Sequence, residues 1–410
     1  MTAKTERAAA VRFIFVTILL DAIGLGVIIP VLPDVLRRFS SDPTYVSEHF
    51  GLFIGVYAFM QFIASPILGS LSDRHGRRSI LLSSLLGAAL DYLFMAFAPT
   101  LPLLFVGRVI SGLTGASMTV ASSYMADVSD DKNRSANFGM IGAGWGLGFI
   151  VGPLLGGLMS GLGPKAPFLA AACLNFCNFL YGLFVLPESL PAHRRRKVEA
   201  RELNPLRTVA RILRPSEFVV FIWVYFLVFL AGQIHPVNWT LYTETKFHWT
   251  PWQVGLSLSF VGTMIATAQG GLTRIIVPRL GAHRSLTLGL SIYAVSFCLF
   301  SLAWAGWVMY PIVVFFSLSG ITIPSLQTIL ARYIAPDRQG ELQGSLVSLA
   351  SLASILAPLL FTRLFVHFTR PGATTYFPGA AYLGASSICV CALILRLAKA
   401  PKLKPEVKVG

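Results

Sequence analysis

The chain has 410 residues, of which 55% are hydrophobic and 12% charged, with a formal net charge of +15. That charged share is about half the ~25% of a soluble domain, which argues against a water-soluble globular enzyme. At ~20 residues per membrane-crossing helix plus short connections, the length suits about twelve spans.

In chain order, apolar stretches bounded by charge, Pro or Gly fall at 13–35, 47–69, 79–98, 101–125, 136–160 and 166–187. A polar stretch follows at 188–215, and then six more apolar ones at 217–241, 252–275, 284–304, 307–333, 340–364 and 377–398. Backbone groups in lipid have no water to bind, so runs of this length and uniform apolarity are predicted as helices. The first run carries Asp21, is too long for a signal peptide and lacks an A-x-A cleavage site, so it reads as a retained span. The expected fold is an all-α polytopic membrane protein of twelve transmembrane helices in two six-helix halves. Residues 1–187 form the first half, 188–216 a cytoplasmic linker, and 217–410 the second half with a short tail. Cys173, Cys177, Cys298, Cys389 and Cys391 all lie in apolar runs without metal-ligand spacing and read as buried apolar filler.

With the N-terminus inside, 26 of the 33 basic residues fall on the cytoplasmic side, six on the other, and Arg108 within a span. This imbalance places both termini in the cytoplasm and accounts for the net charge without nucleic acid. The run His193-Arg194-Arg195-Arg196-Lys197 reads as a retained loop touching anionic lipid. Leu203, Leu206, Val209, Ile212 and Leu213, interleaved with arginines, read as a short helix on the inner membrane surface.

The two halves share features at a constant offset of 205. Gly152-Pro153-Leu154-Leu155 aligns with Ala357-Pro358-Leu359-Leu360, Gly139 with Gly344, Gly76 with Gly281, and Arg74 with Arg279. Two parallel six-helix repeats joined by a basic loop form the architecture of a transporter that rocks about a midplane site.

Several motifs carry a family resemblance. Gly69-Ser70-Leu71-Ser72-Asp73-Arg74-His75-Gly76-Arg77-Arg78, between spans two and three, resembles the signature loop of the major facilitator superfamily. Gly148-x-x-x-Gly152-Pro153-x-x-Gly156-Gly157 in span five resembles its antiporter motif, and Gly107-Arg108 with Ser111-Gly112-x-x-Gly115 in span four resembles its basic intramembrane motif. Leu20-Asp21-Ala22, Pro30-Val31-Leu32-Pro33, Leu90-Asp91-Tyr92, Gly232-Gln233-Ile234, Pro324-x-Leu326-Gln327 and Leu342-Gln343-Gly344 are similar to the tetracycline/proton antiporter branch of drug efflux pumps. The resemblance implies proton-driven export by alternating access from a bacterial inner membrane, by a monomer. A facilitator or importer of a metabolite in the same fold is the alternative. Two departures stand out: Tyr293 occupies the place of the branch's acidic residue in span nine, and Ile265 that of its histidine in span eight.

Charges inside a membrane cost roughly 2.5–3.5 kcal/mol each on the insertion scale, so they mark a cavity or a partner. Asp21 is nine residues from Arg12, about 13 Å into its span at ~1.5 Å per residue. Asp91 and Arg108 lie at matching depth on adjacent spans and are expected to pair. These three are the expected proton-coupling residues. Asp73, Arg77 and Asp127, with Arg74, Gly152 and Pro153, are expected to gate. At the 205 offset the three intramembrane charges fall on Phe226, Ser296 and Val313, so ion chemistry is expected in the first half and substrate shaping largely in the second. The candidates for substrate contact are Tyr57, Gln61, Gln233, His235, Asn238, Gln269, Tyr293, Gln327 and Gln343. No nucleophile–base motif, metal set or phosphate loop is present, so the expected partners are a small molecule, protons and lipid, with no cofactor and no enzymatic activity.

Overall fold

The computed structural model describes residues 3–115, 117–130, 133–191, 195, 218–333 and 339–398. Among the described residues there is no strand. Among the described residues, eleven helices are long and apolar enough to cross a membrane. They are Ala9–Ile28, Pro43–His75, Arg77–Phe97, Leu101–Val128, Asn137–Ser160, Ala166–Val185, Val219–Phe247, Ala282–Leu302, Gly306–Ala331, Gly344–Thr369 and Ala380–Ala398. The twelfth is span eight. Its α-helix Pro251–Thr267 runs directly into a π-helical turn, Ala268–Leu272, and on into Thr273–Leu280. Each predicted span is thus a helix. Large apolar side chains such as Phe184, Leu302 and Trp304 are exposed, as a lipid-facing surface requires and a water-facing one does not tolerate in such number.

Local chemistry sets the helix ends. Asp42 accepts a hydrogen bond from the Thr44 amide at 2.9 Å, and Pro43 opens span two at the position where its missing N–H costs nothing. Spans two and three join at Gly76, whose φ of +102° favours glycine, and spans eight and nine join in the same way at Gly281, with φ +77°.

The repeat extends to the irregularities of the backbone. The helix of span one ends at Ile28, and 205 residues on, span seven is interrupted at Gln233. Pro66 within span two corresponds to Gly271 in the π turn of span eight. Gly115 at the break in span four corresponds to Gly320 in the 3-10 segment Leu318–Ile321 of span ten. Pro153 and Pro358 sit inside spans five and eleven. Irregular backbone at membrane depth persists only where protein or a water-filled cavity satisfies the freed groups.

By its contacts the chain forms two compact units. The first comprises Met1–Pro205, Pro236–Thr263 and Pro358–Pro378; the second comprises Leu206–His235, Met264–Ala357 and Gly379–Gly410. The first therefore takes in segments of spans seven, eight and eleven beside the first six spans. Its core includes Phe13, Ile18, Leu81, Leu85, Val120 and Tyr124. Ser259 donates to the Ile150 carbonyl at 2.5 Å, and the backbone of Pro153 lies where Gly255 would carry a side chain. The core of the second unit includes Phe221, Tyr225, Leu286, Leu290, Leu326 and Leu346.

Most of the linker, the expected surface helix at 203–213 and the Gln343 side chain lie outside the described residues. The cysteine expectation needs correction. Cys173, Cys177 and Cys391 are exposed and only Cys389 is buried, so an apolar run by itself did not identify its inward face.

Candidate functional site

Span one delivers Asp21, span two Tyr57 and Gln61, span three Ser84 and Tyr92, span four Ser111 and Gly115, span five Trp145 and span six Asn175 to one polar cavity in the first unit. Its volume is about 30 Å³. A water needs roughly 10–15 Å³ by the same measure, so the cavity admits a water or two and excludes a drug-sized molecule. The glycines of span five bring Asp21 there. A Cβ at Gly152 would lie 2.8 Å from the Ile23 carbonyl oxygen and 2.9 Å from the Gly26 Cα, and one at Gly148 would lie 2.8 Å from the Leu19 carbonyl oxygen. Spans one and five therefore meet backbone to backbone on either side of Asp21, the close approach small residues permit. On its other side span five takes span eight: a Cβ at Gly157 would lie 2.8 Å from the Pro251 carbonyl oxygen.

Asp91 and Arg108 are both buried, but no ion pair joins them, which corrects the expected pairing. The Ser111 hydroxyl hydrogen-bonds the Asp91 carboxylate. The Arg108 guanidinium lies over the Phe53 ring at 4.1 Å and near the Tyr57 ring at 5.5 Å, a cation–π arrangement. Equal depth put the two charges side by side on paper; the rotation of span four turns the guanidinium toward span two. Asp21 lines the cavity with Tyr57, which Arg108 neighbours, and with Ser111, which hydrogen-bonds Asp91, so the three residues singled out from the sequence do share one neighbourhood.

The expected charge cluster between spans two, three and four is present. Arg77 pairs with Asp73 and, through Nε, with Asp127 at 3.2 Å; it also donates to Ser72 Oγ at 2.6 Å. Arg74 is exposed and makes none of these contacts. Two members were missed. Glu188 accepts from the Arg77 amide at 2.9 Å and the Leu190 amide at 3.0 Å, and Ser189 donates to Asp127 at 2.9 Å. Glu188 thereby caps span three, whose own Gly76 has no side chain to do so. The available signal was an acidic residue immediately after an apolar span, in Pro187-Glu188-Ser189, which read only as the start of the linker.

At the ends of spans one and seven, Arg37 of the short helix Leu32–Arg37 pairs with Asp34 at 2.6 Å and Glu244 at 2.7 Å. Burial acts to lower the Arg37 pKa; the charge and hydrogen bond of Glu244, with those of Asp34, outweigh it and hold it above the ordinary arginine value. This pair also went unread in the sequence, because its members are 207 residues apart.

The second-half candidates are dispersed. Gln233 hydrogen-bonds Ser354. His235 is buried and stacked on Phe316 at 4.6 Å, with Phe300, Phe297 and Tyr382 rings at 5.5–6.0 Å. Tyr293 packs on Phe297 and Phe316. Asn238 is fully buried, Gln269 is exposed in the π turn, and Gln327 is half-buried.

Twelve spans, a doubled backbone, and a polar cavity lined by one intramembrane acid with a second buried beside it define a secondary transporter fold. The model of the Major Facilitator Superfamily matches residues 14–406, and the chain belongs to that superfamily. It is 38% identical to the tetracycline resistance protein, class C, of Escherichia coli, over 93% of this chain and 94% of that one. It is 28% identical to multidrug resistance protein 2 of Bacillus subtilis (strain 168), over 84% and 85%. Among solved structures, the nucleoside transporter NupG shares the fold with a TM-score of 0.76 at 14% identity, covering 96% of this chain and all of that one.

Proposed function

We propose that the protein is a proton-coupled exporter of small amphipathic compounds, tetracycline among them, working by alternating access. The observation that carries the reading is the polar cavity lined by Asp21: it has room for a water or two and none for a drug, while Arg108 lies by its Tyr57 and Asp91 is hydrogen-bonded to its Ser111. The likeness to tetracycline resistance proteins over nearly the whole chain supplies the direction and the substrate class. Asp21 and Asp91 take up and release the proton, and Arg108 tunes them. A proton moving down ~100 mV supplies about 2.3 kcal/mol, roughly a fifty-fold substrate gradient.

The Arg77 cluster acts as the cytoplasmic latch, supported by its ties to Asp73, Asp127 and Glu188. Gly152 and Pro153 let span five carry span one with it. Substrate is held by the second half's polar and aromatic side chains, Gln233, Asn238, Gln269, Tyr293, Gln327 and Gln343 among them. On this reading both termini lie in the cytoplasm, supported by the 26 to 6 excess of basic residues that this orientation places inside, and the unit of function is a monomer in a bacterial inner membrane.

The test is tetracycline uptake by energised inverted vesicles. A protonophore abolishes it and Asp21→Asn reduces it to the level of empty vesicles. Uptake that survives the protonophore indicates a facilitator instead, and wild-type uptake by Asp21→Asn removes Asp21 from the mechanism.

A further inference from the structure

The first helical stretch of span four stops at Thr114, and Gly115 caps it outside helical geometry (φ −72°, ψ 2°). Its amide closes the last turn on the Ser111 carbonyl at 2.7 Å, and its own carbonyl meets span two. The Gln61 side chain of span two reaches it: Nε2 donates to the Gly115 oxygen at 2.9 Å and approaches the Tyr57 hydroxyl at 3.3 Å. Spans two and four approach closely here. A Cβ at Gly112 would lie 2.8 Å from the Tyr57 carbonyl oxygen and 3.2 Å from the Gln61 nitrogen, and one at Gly115 would lie 2.8 Å from the Tyr57 hydroxyl.

The turn that Gln61 grips also serves Asp91. Ser111, at the head of that turn, gives its carbonyl to Gly115 and its hydroxyl to the Asp91 carboxylate. A movement of the break shifts Ser111 and hence the hydrogen bond on Asp91. In the second half the corresponding break has no counterpart of this strut at the repeat position, where Ala266 stands.

We propose that Gln61 is a positioning residue for transport: its amide clamps the Gly115 carbonyl, so that bending of span four at the break and hydrogen bonding of Asp91 occur as one event. This rests on the reading of Asp91 as a proton-carrying acid. It differs from the substrate contact that the sequence suggested for Gln61, because the amide nitrogen is already engaged within the protein.

Three variants and two readouts test it. Gln61→Ala removes the strut. Gln61→Met keeps its length, removes the donor, and serves where the alanine variant does not fold. Gln61→Glu donates only when protonated. Tyr57 from the same span, Asp21 from span one, Asp91 and Tyr92 from span three and Arg108 from span four are the titratable and charged groups around the site.

In tetracycline uptake by inverted vesicles, Gln61→Ala or Gln61→Met lowers kcat about tenfold, as loss of a partly buried hydrogen bond would, and leaves KM within about twofold. The activity of Gln61→Glu relative to wild type recovers as pH falls from 8 to 6, while that of Gln61→Met does not. Independently of any transport, hydrogen–deuterium exchange at the span-four break quickens in Gln61→Met. A raised KM with unchanged kcat makes Gln61 a substrate contact and overturns the proposal, as does unchanged exchange. Absence of tetracycline uptake by the wild type counts against the exporter reading alone, since the exchange experiment still decides the strut.

Discussion

The first and second six-helix repeats share a backbone and differ in what fills it. Breaks, prolines and junction glycines recur at an offset of 205, down to the turns that end spans three and nine at Ala98 (φ −59°, ψ 115°) and Ala303 (φ −54°, ψ 122°). The side chains do not follow. Asp21, Gln61, Tyr92, Ser111, Trp145 and Asn175 around the first-half cavity correspond to Phe226, Ala266, Phe297, Phe316, Ala350 and Ala380. Where the first half has a polar cavity, Phe297 and Phe316 of the second join Tyr293, Phe300 and His235 in an aromatic cluster. The two repeats thus place their backbone irregularities alike and differ in side chains, a polar cavity in one and an aromatic cluster in the other. On the proposed reading, ion chemistry falls to the first repeat alone.

The largest expected effect breaks the comparison at spans five and eleven. Gly148, Gly152 and Gly156 correspond to Ala353, Ala357 and Phe361, so only the first repeat needs a bare backbone there. Gly152→Val drives methyl groups into the backbone at Ile23 and Gly26. About 3 kcal/mol of overpacking and loss of transport are expected, read by thermal unfolding in detergent and by uptake. Ala357→Gly makes the second repeat resemble the first and is expected to cost only about 1 kcal/mol.

Next in size is Arg77→Ala. The cluster has no second copy, because Asp73, Arg77 and Asp127 correspond to Pro278, Ala282 and Arg332. Tetracycline uptake is expected to fall about tenfold, with 1–3 kcal/mol of interaction lost from partly buried partners. Arg77→Lys restores little, since a single ammonium cannot replace a guanidinium that meets Asp73, Asp127 and Ser72 together. Uptake equal to wild type in Arg77→Ala removes the cluster from gating.

Glu244→Gln is expected to have a smaller effect. Arg37 is 48% exposed and Glu244 10%, so solvent screens the pair and its removal costs at most about 1 kcal/mol. The difference in melting temperature between variant and wild type is expected to shrink at 1 M salt, where the screening length is about 3 Å. A difference that persists in salt assigns the effect to packing.

How far the sequence could be read follows from the same division. All twelve spans were legible because lipid forces apolar length. The one that length alone under-counts is span eight, where Gly270 and Gly271 lie in a π turn. The Asp73, Arg77 and Asp127 cluster was legible because its members lie close to helix ends fixed by short loops. The Asp91–Arg108 pair was misread because depth along a helix is set by residue count, whereas rotation is set by packing against Phe53 and Tyr57. Glu188 and the Arg37–Glu244 pair were invisible for a related reason: contacts 111 and 207 residues apart depend on tertiary packing.

The smallest expected effect is the sharpest test of the division of labour. A histidine in a span invites a titrating role, and two departures from the tetracycline branch, Tyr293 and Ile265, leave the second repeat short of the groups that would share it. His235 instead sits among four aromatic rings, stacked on Phe316, in the cluster whose counterpart in the first repeat is the polar cavity. If that cluster is packing, a ring of similar size without ionisable nitrogen serves as well. His235→Phe is expected to keep tetracycline uptake within about twofold of wild type, a change no greater than the ~0.4 kcal/mol that factor represents, and to leave the pH dependence of uptake unmoved. A shifted pH profile in His235→Phe, with Asp21→Asn still inactive, would place a second proton site in the second repeat and end the assignment of ion chemistry to the first alone.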